Sequence, residues 1–264
     1  MKAENLKLIV KEKYSEIAEN SGSSCCSDSG CCSSPEYSMM NGNYAVLDGY
    51  NPDADLGLGC GLPTEFARIR KGDTVVDLGS GAGNDCFVAR ALTGENGYVI
   101  GVDMTEAMVE KARVNNQKLG FENIEFRLGD IEDLPVDDNS VDVVISNCVL
   151  NLVPDKGKAF GEIFRIMKPG AHLSVSDIVL KGELPDKIRQ AAEMYAGCVS
   201  GALQIDEYLK ILRESQMANI KIQKEKLITL PDNLLLKFLS QEELYEYKKS
   251  ERGIYSITVY AEKL

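Results

Sequence analysis

The sequence predicts an α/β chain built on a doubly wound parallel sheet, followed by a smaller C-terminal α+β domain. Three observations carry this expectation. From residue 72 onward, short runs rich in β-branched residues alternate with helical stretches, the pattern of strands joined by right-handed crossovers. A glycine-rich turn, DLGSGAGND at 77–85, follows the first such run. The tetrapeptide MKPG at 167–170 stops a helix before the fifth run.

In chain order, the opening segment spaces Leu6, Ile9, Val10, Tyr14 and Ile17 like the apolar face of an amphipathic helix. The Ser/Gly/Cys segment at 21–35 has almost nothing to bury and is expected to be a mobile loop. Residues 36–65, with Tyr44, Tyr50 and LGLGCGLP at 56–63, read as a turn-rich lead-in. Strands are expected at 74–78, 98–103, 124–130, 141–147 and 172–178, with helices near 84–92, 105–119 and 157–167. Helical character returns near 185–217, and residues 220–230 and 253–263 are the last two expected strands. The resulting division is 1–65 for helix, Cys-rich loop and lid, 66–180 for the ligand-binding core, and 181–264 for the C-terminal domain.

With 264 residues, of which 44% are hydrophobic, the chain can bury a substantial core. A formal net charge of -12 argues against nucleic acid and anionic membrane as partners, because Lys and Arg drive binding to phosphates. A small uncharged or cationic ligand fits better. The N-terminus lacks the apolar run of a signal peptide, and VDVVISNCVLNLV at 141–153 is too short and too polar to span a bilayer, so a cytoplasmic location is expected. Eight cysteines in such a chain are expected to be ligands, redox thiols or buried apolar groups rather than structural disulfides.

In a doubly wound sheet, ligands bind beyond the carboxyl ends of the strands at the point where strand order reverses. Gly79, Ser80 and Gly81, flanked by Asp77 and Asp85, occupy that turn. Asp103, followed by Met104, ends the second strand, where a carboxylate accepts hydrogen bonds from both ribose hydroxyls. In GDIEDLP at 129–135, Asp130 is placed to meet an adenine amino group and Ile131 to flank the ring, while Asn147 ends the fourth strand. A dinucleotide turn reads G-x-G-x-x-G, but Asn84 stands in the sixth position. That departure favours S-adenosylmethionine over NAD.

These pieces resemble class I S-adenosylmethionine-dependent methyltransferases, which implies a Rossmann-like sheet. More narrowly, Gly57-Leu58-Gly59-Cys60-Gly61, DLGSGAGNDCF at 77–87, GVDMT at 101–105, SNCVLNLVPDK at 146–156 and CVSGAL at 198–203 resemble arsenite methyltransferases. The similarity runs from about residue 36 to about residue 210. SNCVLNLVPDK discriminates best, because a generic methyltransferase has no reason to place Cys after that Asn. The resemblance implies S-adenosylmethionine as cofactor, arsenic(III) held by Cys60, Cys148 and Cys198, and thioredoxin or glutathione as reductant. It also implies an N-terminal cysteine that captures arsenic first or pairs with Cys60 during turnover. Cys25, Cys26, Cys31 and Cys32 all remain open for that part, with Cys32 carried as the catalytic candidate.

Soft arsenic(III) prefers thiolates to nitrogen or oxygen ligands. Three sulfurs fill its pyramidal coordination and leave a lone pair pointing outward, so methylation at arsenic needs no base to remove a proton. The single histidine, His172, is accordingly expected to be a packed strand residue. Each cysteine taken alone reads equally as a small buried hydrophobe. Cys86 sits near a helix start, where the dipole lowers a thiol pKa, but is expected to be structural. Tyr44 and Tyr50 either close over the sulfonium through their ring faces or pack a lid. Two other functions are compatible in part. A methyltransferase for a quinone, sterol or other carbon nucleophile leaves Cys148 and Cys198 unexplained, and a non-catalytic thiol module for soft metals leaves Asp103 and GDIEDLP unexplained.

Overall fold

The computed structural model describes residues 3–20, 43–189, 199, 201–250 and 252–264. The expected loop at 21–35, with Cys25, Cys26, Cys31 and Cys32, lies outside these residues, as does Cys198. Helix α1 (Ala3–Asn20) is present; of its expected apolar face Val10 is buried and Tyr14 and Ile17 are half-buried, whereas Ile9 is exposed. The packed face therefore keeps Val10, Tyr14 and Ile17, and Ile9 does not belong to it. The reason is tertiary: α1 lies along α4 (Glu106–Leu119), where Lys111 Nζ donates to Ala18 O at 3.2 Å.

The remaining elements are α2 (Pro63–Phe66), β1 (Thr74–Leu78), α3 (Asn84–Thr93), β2 (Tyr98–Asp103), β3 (Ile124–Leu128), β4 (Val141–Asn147), α5 (Lys156–Ile166) and β5 (Met167–Lys181). After them come α6 (Ile205–Glu214), β6 (Ala218–Ile228), α7 (Asp232–Leu235), α8 (Gln241–Lys249) and β7 (Gly253–Glu262). One seven-stranded sheet runs in the order β3-β2-β1-β4-β5-β7-β6. β1 to β5 are parallel, whereas β7 is antiparallel to both of its neighbours. The residues beyond 181 thus extend the same sheet with two antiparallel strands, joined to each other through α7 and α8.

Both faces of the parallel strands are covered, which is why they read as nearly unbroken β-branched runs. Val76, Leu78, Val102 and Val144 pack with Phe160 and Leu173 on one side, and Val75, Val143 and Ile145 pack with Phe87 and Val109 on the other. Gly120, in the left-handed region at φ 70°, ends α4. Asp155 caps α5 by accepting from Lys158 N-H at 2.9 Å, and Ser240 and Glu243 form a capping box at α8. MKPG stops α5 at Ile166, as expected, but the tetrapeptide is itself part of the strand. α5 passes directly into β5, Met167 already pairs with Val141, and Gly170 at φ 81° with a register shift absorbs the irregularity. At the outer edge, β6 is largely exposed and pairs β7 through two register shifts.

Strand order reverses between β1 and β4. The chain leaves β1 toward β2 and β3, then returns to β4 and β5 on the opposite side. The carboxyl ends of β1 and β4 therefore open a crevice, and the site lies there.

Candidate active site

Gly79 and Gly81 have φ of 68° and 51°, and a Cβ at Gly79 would come within 2.3 Å of Val149. Only glycine lets the turn after β1 pass that close to the segment after β4. Asp77, Gly79, Ser80, Gly81, Asp85, Asp103, Met104, Asp130, Ile131 and Asn147 all line one cleft at these strand ends. Cys148 lines the same cleft, as do Tyr44 from the lead-in and Lys7, Val10 and Tyr14 from α1.

The cleft is rich in carboxylates with little to neutralise them. Burial pushes Asp77 well above the usual carboxylate range, with the charge of Asp85 adding to it. Burial likewise raises Asp85 to about 6, against the opposing hydrogen bonds of Tyr44 and Asn147. Asp85 Oδ1 and Ser80 Oγ are buried without a hydrogen-bond partner among the described residues. Unpaired acceptors beside a glycine turn fit a ligand that carries positive charge and hydrogen-bond donors. S-adenosylmethionine, with its ammonium and sulfonium, meets that description, whereas the pyrophosphate of a dinucleotide would face repulsion.

Asp103 Oδ2 accepts from Gly81 N-H at 3.0 Å and Oδ1 from Thr105 N-H at 2.9 Å, so the turn and the β2 end hold its carboxylate in place. Asp130 is differently engaged. Lys7 Nζ lies 2.5 Å from Asp130 Oδ2 and 2.8 Å from Glu132 Oε2. Burial acts to raise the Asp130 carboxyl, but Lys7 and the Glu132 N-H outweigh it and hold it low. Nothing in the sequence pairs Lys7 with Asp130, because the partner of a helix-face lysine is set only when the helix docks.

On the substrate side, Cys60 and Cys148 are only 2% and 4% exposed and share an apolar cluster with Ile178, Leu180, Leu184 and Val199. Cys60 comes from the lead-in and Cys148 from the residue after β4. Cys148 has φ 62°, unusual for a residue with a side chain, and its N-H donates to Ser176 O at 2.7 Å. Cys60 N-H donates to Asn147 Oδ1 at 3.0 Å, and Cys60 O accepts from Ser256 Oγ at 2.5 Å. Val199, which follows Cys198 in sequence, belongs to this cluster, and a Cβ on Gly201 would lie 1.9 Å from Asn151 O.

Cys86 is fully buried and its Sγ donates to Asp77 Oδ2 at 3.3 Å. Burial first, then the charge of Asp77, raises its thiol well above the ordinary value, the opposite of a helix-start activation. Tyr44 Oη donates to Asp85 Oδ2 at 2.7 Å, and its ring stacks with Tyr50 at 6.5 Å. His172 sits away from the cleft, with Nε2 2.5 Å from Ala67 O and its ring on Tyr260. Sequence reasoning missed Asp177, a lone acid inside an apolar strand. It is fully buried, is hydrogen-bonded by Tyr208 Oη at 3.3 Å, and is pushed by burial up to about 7.

Known proteins share both the fold and the motifs. A family model described as a methyltransferase domain matches residues 69–216. An arsenite methyltransferase of Halobacterium salinarum is 43% identical over 83% of this chain and 59% of its own length. Another, from Aquipseudomonas alcaligenes, is 34% identical over 89% of this chain and 69% of its own. A solved arsenic(III) S-adenosylmethionine methyltransferase from Chlamydomonas reinhardtii superposes with a TM-score of 0.66 at 34% identity, over 78% of this chain and 68% of that one. The chain thus spans just under three fifths of the Halobacterium relative. With its carboxylate-lined cleft, its glycine turn and two buried cysteines at the switch point, the chain belongs to the arsenite methyltransferase family.

Proposed function

We propose that this chain transfers methyl groups from S-adenosylmethionine to trivalent arsenic, as arsenite and methylarsonite, held by the thiolates of Cys60, Cys148 and Cys198. The observation that carries this reading is that Cys148 lines the cofactor cleft while sharing one buried cluster with Cys60. Ser80, Asp85 and Asp103 would hold the cofactor. When bound, it supplies an electrophilic methyl group on a sulfonium.

Cys60 and Cys148 come from separate segments into one buried cluster, which supports their thiolates chelating one soft atom. The surrounding Ile178, Leu180 and Val199 exclude water, which would otherwise compete for arsenic. Transfer would form an As-C bond from the arsenic lone pair at the expense of the cofactor's S-CH3 bond, whose electron pair would stay on sulfur. Arsenic is thereby oxidised by two electrons, which a thiol reductant, thioredoxin or glutathione, returns before the next round. Cys32 is the candidate for relaying that reduction to Cys60. No proton leaves the nucleophile, in keeping with a cleft whose lining holds no histidine among the described residues. Neither nucleic acid nor a membrane surface is a proposed partner, and a cytoplasmic location fits the demand for reduced thiols.

The test is transfer of a labelled methyl group to arsenite and to methylarsonite in the presence of thiol. Cys148→Ser and Cys198→Ser nearly conserve size but exchange a soft thiolate for a hard hydroxyl, so folding and cofactor binding should persist while both methylations disappear. Near wild-type turnover of methylarsonite by either variant would overturn the shared arsenic site in favour of a carbon-nucleophile methyltransferase.

A further inference from the structure

Asn147 stands between the two halves of the site and uses both ends of its amide. Its Oδ1 accepts the Cys60 N-H at 3.0 Å. Its Nδ2 lies 2.6 Å from Tyr44 Oη, 3.0 Å from Gly61 O and 3.2 Å from Asp85 Oδ2. With two hydrogens for three acceptors, the amide is fully committed. Tyr44 Oη closes the loop by donating to the same Asp85 oxygen. The two oxygens of Asp85 therefore differ: Oδ2 holds Tyr44 and Asn147, while Oδ1 is buried with no hydrogen-bond partner among the described residues, in a residue that lines the cleft.

The loop carrying Cys60 has little freedom to ignore Asn147. A Cβ at Gly59 would come within 2.7 Å of Asn147 Nδ2, and one at Gly61 within 2.5 Å of Ser176 Oγ. The backbone on both sides of Cys60 thus rests directly on β4 and β5. The next residue, Cys148, is itself held by Ser176. A cation beside Asp85 keeps that carboxylate charged, and charge-assisted hydrogen bonds to it are shorter and stronger than neutral ones.

We propose that Asn147 is a positioning residue that couples the two halves: cofactor bound against Asp85 fixes, through Asn147, the loop carrying Cys60, so that arsenite binds more tightly to the cofactor-loaded protein than to the empty one. This inference rests on the arsenic reading given under Proposed function. Because such coupling is reciprocal, arsenite also tightens cofactor binding by the same factor.

Equilibrium filtration tests it, with bound arsenic counted by mass spectrometry and S-adenosylhomocysteine as a ligand that has no methyl group to transfer. In the wild type, saturating S-adenosylhomocysteine should tighten arsenite binding by roughly fivefold or more. In Asn147→Ala that effect should vanish. Tyr44→Phe, which removes one of the two links to Asp85, should retain a reduced effect. Should Asn147→Ala not fold, undiminished coupling in Tyr44→Phe overturns the inference. So does wild-type arsenite affinity that ignores S-adenosylhomocysteine, full coupling in Asn147→Ala, or a loss of more than about tenfold in its S-adenosylhomocysteine affinity, which would make Asn147 a cofactor contact. Arsenite binding without coupling overturns this inference alone. Absence of arsenite binding in either state removes the arsenic reading as well.

Discussion

The cofactor end and the thiol end of the cleft are built by different means. The cofactor end comes from consecutive residues at strand termini: Gly79, Ser80 and Gly81 after β1, Asp103 at the end of β2 and Asp130 soon after β3. Each is placed by its own strand. The thiol end is assembled across the chain, with Cys60 from the lead-in, Cys148 from the β4 end and Val199 from the segment before α6 meeting in one apolar cluster. A local device tolerates the loss of its neighbours, whereas an assembled one depends on every segment that closes it.

That contrast predicts where single substitutions act. The largest effect expected is from Gly201→Ala, whose Cβ would overlap Asn151 O and push the segment around Val199 out of the cluster. The overpacking should cost roughly 1 to 3 kcal/mol locally, abolish arsenite methylation and leave cofactor affinity nearly unchanged. Equal loss of both, measured by calorimetry and methyl transfer, would show the two ends to be one unit. Asp103→Ala should do the reverse, weakening S-adenosylmethionine by about 1 to 3 kcal/mol while arsenite alone still binds. Unchanged cofactor affinity would remove Asp103 from the ribose-binding assignment.

The smallest effect expected separates the ends by charge. Asp85 titrates near 6 in the folded protein and near 3.8 as an unperturbed carboxylate. Because the folded value is raised, the contribution of this group to stability is greatest below about pH 4 and is lost as pH rises through about 6. A cationic cofactor reverses that loss by favouring the ionised form. Its thermal stabilisation of the protein should therefore be larger at about pH 7.5 than at about pH 5, with affinity falling as pH drops through about 6. A pH-independent shift in Tm would sever Asp85 from cofactor binding.

Much of the cofactor end was readable in the sequence. The strands expected at 74–78, 98–103 and 141–147 match β1, β2 and β4 at both ends, because strands buried on both faces leave sharp apolar runs between polar turns. The cleft residues follow once those ends are known. The thiol end was readable only through resemblance, since nothing local distinguishes Cys148 from the structural Cys86. Lys7 and Asp177 were not readable at all. Their roles arise from partners more than a hundred residues away for Lys7 and from the docking of α6 for Asp177. The same holds for the exposure of Ile9 on α1, whose packed side α4 selects.

The open border of the sheet at β6 has a consequence for how the protein keeps its own company. A last strand offers unpaired backbone groups to any extended segment that comes alongside. Here Lys221, Lys224 and Lys226 are exposed along that border, and the two register shifts against β7 spoil a straight template. Lys224 is paired with Glu65 at 3.0 Å and Glu225 with Lys181 at 2.6 Å, so the border carries both signs, and exposed charge together with the broken register works against a second copy adding its β6.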